Sequence, residues 1–246
     1  MNTSLKVEHL CKSFGDKKVL NGVNFEISPN SISVIIGKSG TGKSVLLKII
    51  AGILAKDSGS VSLLNQTNEP DLKIDQVGLS YMFQNNALFD SMTVFENIAL
   101  PLMESTQKVS KSHIIDRVNA LLAELDLLGI GSYFPGQLSG GMNKRVAFAR
   151  ALITEPKIVL FDEPTTGLDP EKKFTIFELI NRYKKTFEFS ALLVSHDIPE
   201  VYTIADSVIW LDEGIIKYEG SPKDFDRVSD MSVKNFLKTG RIQEVH

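Results

Sequence analysis

The chain has 246 residues (27.2 kDa), is 43% hydrophobic, and sums to a net charge of −3 with a pI of ≈ 5.9. That composition excludes a disordered chain, and the mild acidity excludes binding through a broad basic face of the kind that coats nucleic acid. A single cysteine, Cys11, excludes an internal disulfide framework and fits a reducing compartment. No apolar run approaches the ~18 residues needed to span a bilayer. The opening MNTSLKVEHLCKSFG also lacks the apolar segment of a signal peptide. A soluble, globular, cytoplasmic protein is expected.

In chain order, residues 5–10 and 23–28 alternate in character and predict half-buried strands. Residues 31–37 are apolar at Ile32, Val34, Ile35 and Ile36, as a strand buried on both faces would be. They run into a glycine-rich loop and then a helix over 45–54 that ends near Gly52. A further strand is read at 77–83. Residues 110–128 place Ile114, Ile115, Val118, Leu121, Leu122 and Leu125 on one stripe, with Ser110 as N-cap. A helix over 139–153 is stopped by Glu155 and Pro156. Residues 157–164 predict a second buried strand ending in two carboxylates, and Asp169 with Pro170 opens a helix to about residue 187. The strand 190–195 leads into His196, a hairpin turns at Asp212, Glu213 and Gly214, and short helices with a tail close the chain. Strand, loop, helix and strand in this order predict an α/β parallel-sheet unit with a helical insert.

The glycine-rich loop carries the first chemistry. Gly37, Lys38, Ser39, Gly40, Thr41, Gly42, Lys43 and Ser44 match G-x-x-x-x-G-K-[ST]. Backbone N–H groups of such a loop converge on phosphate oxygens, and the helix behind adds its positive end. Lys43 supplies a charge for the β- and γ-phosphates, and the Ser44 hydroxyl suits Mg²⁺. Asp162 and Glu163 sit where a parallel sheet places its ligands, at a strand's carboxyl end. Asp162 is suited to hold Mg²⁺ through its water shell, and Glu163 to polarise an attacking water. Ser139 caps a helix whose free N–H groups near Gly140 and Gly141 offer a second phosphate site.

The motifs at 37–44, 138–141, 158–163 and 167–170, followed by His196, resemble those of ATP-binding cassette (ABC) ATPases in type and order over nearly the whole chain. The resemblance implies a P-loop NTPase of ABC type over residues 1–246. It implies a mixed central sheet, an antiparallel β-subdomain, a helical subdomain at about 85–155 and a C-terminal helical tail at about 222–246. It further implies that Gln84 links Mg²⁺ and the attacking water to a membrane partner, that His196 contacts the γ-phosphate, and that Phe14 stacks on adenine. ATP and Mg²⁺ are the implied cofactors. Two copies of the chain are expected to close on ATP, with Asp169 in the loop that crosses the interface. His9, His113 and His246 share no metal-ligand spacing, Cys11 reads as a packed side chain, Trp210 as core, and Lys144 and Arg145 as solvated helix charges.

Fewer than a hundred residues separate the phosphate loop from LSGG, without sustained heptads. That argues against a DNA-maintenance protein, and one set of motifs argues against a two-cassette translation factor. A transporter motor at the cytoplasmic face of an inner membrane, with its permease on another chain, is the expectation. Residues 81–102, the LSGGM variant with Met142, residues 195–214 and residues 230–240 resemble ATPase subunits of Mla-type phospholipid transporters. Their partners are an MlaE-like permease, an MCE-domain protein and a small STAS-domain protein. Amino-acid importers share much of the segment after Gln84, so import of a small polar solute is the alternative. Residues 85–103 are the expected permease contact, with Leu88 and Phe89 nearest the groove.

Overall fold

The computed structural model describes residues 3–64, 70–72, 78–105, 108–198, 200–225 and 227. Strands β1 (Ser4–Phe14), β2 (Lys17–Ile27) and β3 (Ile32–Ile36) lead into helix α1 (Lys43–Ile50). Strands β4 (Ser58–Leu64), β5 (Pro70–Leu72) and β6 (Leu79–Met82) follow, then helices α2 (Val94–Met103), α3 (Lys111–Glu124) and α4 (Gly140–Leu152). The last third holds β7 (Ile158–Asp162), α5 (Pro170–Phe187), β8 (Ser190–Val194), β9 (Ser207–Asp212), β10 (Ile215–Gly220) and the short α6 (Pro222–Phe225).

The strands form two sheets. One is antiparallel in the order β2-β1-β4-β5, and the other is mixed in the order β10-β9-β3-β8-β7-β6. Within the mixed sheet β6, β7, β8, β3 and β9 run parallel, and β10 closes the edge as an antiparallel hairpin. The parallel strands are apolar at nearly every position because both of their faces are covered. Side chains of a strand alternate between faces, so each strand is shared between two cores. Ile35, Ile158, Leu160, Leu192, Val194, Ile209 and Leu211 join α1 and the antiparallel sheet on one side. Ile36, Val159, Phe161, Leu193, Val208 and Trp210 join the helices on the other.

Helix ends follow local chemistry. Ser110 and Ser139 cap α3 and α4 by accepting from the N–H groups of His113 and Met142. Thr93 and Glu96 form a reciprocal capping box on α2. Asp169 caps α5 through the N–H of Lys172.

Several expectations need correction. Helix α3 ends at Glu124, not 128, because Asp126 turns the chain at φ +55°. Ile115 lies on its outer side, 46% exposed. Lys144 is not solvated; it is 5% exposed, and burial holds its ammonium below the usual lysine range. Arg145 is partly covered and donates to the carbonyl of Leu125. Beyond α6 the expected C-terminal segment at 230–240 lies outside the described residues, as does His246.

An aromatic knot joins the helical core to the sheet. Phe148 of α4 stacks on Phe161 of β7 at 5.5 Å, meets Tyr183 of α5 at 5.5 Å, and lies edge-on to Phe189 at 6.5 Å. Phe148→Ala should lower the unfolding free energy by about 3–5 kcal/mol in urea titrations, since rings from β7, α5 and the residue before β8 close around it.

Candidate functional site

The loop between β3 and α1 exists because two glycines admit contacts that a side chain would block. A Cβ on Gly37 would stand 2.2 Å from the Leu211 carbonyl oxygen. Gly42, the residue before α1, holds φ at +101° with Val19 only 2.8 Å from where its Cβ would be. Inside the loop the Lys43 ammonium turns back and donates to the carbonyls of Gly37 (2.8 Å) and Lys38 (2.9 Å). The Thr41 hydroxyl also donates to the Lys38 carbonyl, at 2.9 Å. Burial pulls the Lys43 ammonium below the ordinary lysine range, and the nearby carboxylates of Glu163 and Asp162 oppose that pull.

Strand β7 delivers Asp162 to the start of α1. The Ser44 hydroxyl donates to Asp162 Oδ1 at 2.7 Å, and the Tyr81 hydroxyl of the neighbouring β6 donates to Oδ2 at 2.7 Å. Burial, and then the bond to Asp162, push the Tyr81 hydroxyl far above its ordinary titration range, so it stays a donor. Glu163 leaves the strand at φ +48°, a left-handed conformation that costs on the order of 1 kcal/mol for a non-glycine residue. Its N–H is anchored on the Val194 carbonyl at 3.1 Å. Glu163 Oε2 accepts from Gln84 Nε2 (3.1 Å) and from the Thr166 hydroxyl (3.0 Å). Oε1 lies 3.5 Å from His196 Nδ1.

Phe14, Ser39, Gly40, Gly42, Lys43, Ser44, Gln84 and Glu163 line one cavity of ≈ 500 Å³ together with Lys17, Val19 and Val45. Asp162 meets that cavity through Ser44, and His196 through Glu163. The Phe14 ring is half exposed, with the Lys12 ammonium 5.3 Å from its centre. Ser139, Gly140, Gly141 and Asp169 are not in that lining. They stand at the starts of α4 and α5, where a Cβ on Gly140 or Gly141 would meet nothing within 4 Å. Sequence reading missed Tyr81, Thr165, Thr166 and Asp197. The threonines follow Glu163 after a single proline, Pro164, which was a usable signal; Tyr81 and Asp197 needed the tertiary fold.

The family model described as "ABC transporter" matches residues 20–166. This chain belongs to the ABC transporter family. It is an ATP-binding cassette ATPase, with the cassette fold. The nucleotide-free ATP-binding cassette of an ABC transporter superposes with a TM-score of 0.81 at 27% identity, covering 96% of this chain and 98% of that one. A dimeric cassette in a post-hydrolysis state, bound to ADP and Pi, gives a TM-score of 0.73 at 28% identity, covering 88% of this chain and 98% of that one. Among curated relatives, a sulfate/thiosulfate import ATP-binding protein of Mesostigma viride is 37% identical over 90% of this chain and 63% of its own length. An Fe(3+) ions import ATP-binding protein of Photobacterium profundum is 34% identical over 96% of this chain and 67% of its own length. The chloroplastic protein trigalactosyldiacylglycerol 3 of Arabidopsis thaliana is 38% identical over 92% of this chain and 70% of its own length. The chain thus spans roughly two thirds of the length of each of these relatives, from 63% to 70%.

Glu163 and His196 hold one another's charge. The imidazole keeps the carboxyl below its usual range, and the carboxylate raises the imidazole above the ordinary 6.5. A raised histidine contributes stability fully below its unfolded value and loses it as pH climbs through the folded value. A lowered carboxyl contributes above its unfolded value and loses it as pH falls through the folded one. His196 should therefore titrate above 6.5 by NMR, and Glu163→Gln should move the midpoint down. An unmoved midpoint would break the pairing.

Proposed function

We propose that this chain is the ATP-hydrolysing motor subunit of a membrane transporter, with residues 1–246 acting as one cassette and the site residues named above in working roles. The observation that carries this reading is the joint at the phosphate loop: Ser44 bonded to Asp162, with Glu163 and Gln84 at the mouth of the same cavity. In this reading the loop amides from Gly37 to Ser44 and the Lys43 ammonium bind the phosphates, and Phe14 offers a stacking face to the base. Ser44 and Asp162 are hard oxygen donors and fit Mg²⁺, with Gln84 able to approach from the loop beyond. Among the described residues no three His, Cys, Asp or Glu side chains form a cage, so such an ion would take most of its ligands from phosphate and water. Bound there, Mg²⁺ would neutralise phosphate charge. Glu163 accepts a proton from, and orients, the attacking water, while His196 faces the γ-phosphate.

The open N-termini of α4 and α5 support a two-copy assembly. Ser139, Gly140 and Gly141 of one subunit would close on ATP held by the other, with Asp169 in the crossing loop. The post-hydrolysis dimer among similar structures, bound to ADP and Pi, supports a two-copy assembly. Glu163→Gln should bind ATP, slow hydrolysis by orders of magnitude, and accumulate as a dimer in size-exclusion chromatography. Lys43→Ala should lose that ATP-dependent dimer. Near-normal turnover of Glu163→Gln would refute the assignment.

A second cavity of ≈ 610 Å³ supports the permease contact. It is lined by Leu88, Phe89, Phe83, Leu100, Pro101 and Arg150 among others, whereas Val94 turns into the core. Among the described residues no helix is long and apolar enough to cross a membrane, and in this reading a permease on another chain supplies the span. The same reading places the chain peripherally at the cytoplasmic face of an inner membrane. The sulfate/thiosulfate and Fe(3+) import relatives favour import of a small ionic solute over the phospholipid cargo implied by the Mla resemblance. The lipid reading, with an MlaE-like permease and MCE and STAS partners, retains one specific support in the Arabidopsis relative named for a glycolipid.

Tagged Glu163→Gln, loaded with ATP and recovered from detergent-solubilised membranes, decides among these. A permease with a solute-binding protein would establish import, and a permease with MCE and STAS proteins would establish lipid transport. Recovery of no membrane protein would refute the transporter reading. Leu88→Asp should abolish permease recovery while leaving ATP binding intact.

A further inference from the structure

Asp197 follows His196 directly, is 7% exposed, and uses both of its oxygens inside the protein. Oδ2 accepts from the Thr165 hydroxyl at 2.5 Å, and Oδ1 accepts from the Lys173 ammonium at 2.6 Å. Its own N–H donates to the Ser195 hydroxyl at 3.0 Å. Thr165 is 1% exposed, and its neighbour Thr166 donates to Glu163. Two adjacent threonines thus grip two carboxylates, one in the cavity wall and one beneath the segment that carries His196. Because the peptide between them is planar and stiff, the pair sets where Glu163 stands relative to His196. Lys173 brings in a third segment. It lies in the first turn of α5, and its N–H bonds the carbonyl of Asp169, which opens that helix.

An ion pair with one end buried, as here, is a poor source of net stability, because desolvation of the charges offsets their attraction. Its effect is to fix geometry, and what it fixes here is the three segments bearing Glu163, Asp169 and His196. We propose that Asp197, with Lys173 and Thr165, is a positioning residue for ATP hydrolysis: it holds the turn after Glu163, the start of α5 and the His196 segment in one register. The proposal rests on the roles of Glu163 and His196 given above. None of the three side chains lines the nucleotide cavity, so their loss should leave ATP binding unaltered.

The test is steady-state ATPase kinetics of the full chain, with ATP affinity measured separately by a fluorescent analogue. Lys173→Met leaves the Asp197 charge with the threonine alone. It should lower kcat about tenfold, as misplacement of reacting groups does, with the affinity for ATP kept within about twofold. Lys173→Arg keeps the charge and should restore most of kcat, which a mere packing role for the lysine stem would not explain. Thr165→Val conserves volume and removes only the hydroxyl; it should lower kcat by a smaller factor, and it decides the matter if Lys173→Met does not fold. Unchanged kcat in Thr165→Val, or a fall in kcat that follows lost ATP affinity, would overturn the proposal. Glu163→Gln is run alongside. If it retains normal turnover, the underlying reading fails; if it is inactive while Lys173→Met and Thr165→Val turn over normally, only the positioning role fails.

Discussion

The 2.7 Å bond between Ser44 and Asp162 joins two pieces of chain 118 residues apart, and the functional geometry hangs on it. Ser44 sits in the first turn of α1, directly behind the phosphate loop. Asp162 is the last residue of β7. Once these meet, the position of Glu163 follows, because it is the next residue and its N–H is anchored on β8. Tyr81 holds the other oxygen of Asp162 from β6, so the carboxylate is fixed from two sides by donors that stay protonated. A serine hydroxyl and a half-satisfied carboxylate are also the right oxygens for a hard cation, so one joint serves both the fold and the chemistry.

The cleft around that joint is balanced in charge. Lys43 is buried and, among the described residues, makes no direct ion pair; its ammonium rests on carbonyls of its own loop, with two carboxylates acting at longer range. An anionic ligand entering here meets a cation that is desolvated and has no carboxylate in contact to displace. Glu163 is tethered by Gln84, Thr166 and His196 at once. Each tether comes from a different segment, so the position of this carboxylate reports on the loop after β6, the turn before α5 and the segment after β8 together.

Much of this was legible in the amino-acid sequence, for stated physical reasons. The phosphate loop announces itself because glycines, a lysine and a serine at fixed spacing are demanded by close backbone approach. The caps at Ser110, Ser139 and Asp169 are local and were read from their own neighbourhoods. Strands β4 and β5 were not read, since β4 with its mixed Ser, Gly and Val has no strong period and β5 is only three residues long at the sheet edge. Helix α2 was blurred by Pro101 inside it. Lys144 looked like a surface charge because its neighbours in sequence are polar, yet burial there is decided by how α4 packs. Tyr81 and Asp197 act through partners 81 and 32 residues away, which spacing alone does not reveal.

The strict alternation of side chains along β3 and β7 to β9 divides the interior into two cores that share only a wall of backbone. Ile35 and Ile36 are neighbours in the chain, yet they pack with different sets of residues. Substitutions on opposite faces have no shared partners, so their costs should add instead of compounding. Packing on the helical side, which carries the apolar groove, can therefore change without disturbing the side that holds α1 and the antiparallel sheet. One sheet with two independent faces uncouples the groove from the wall behind the phosphate loop.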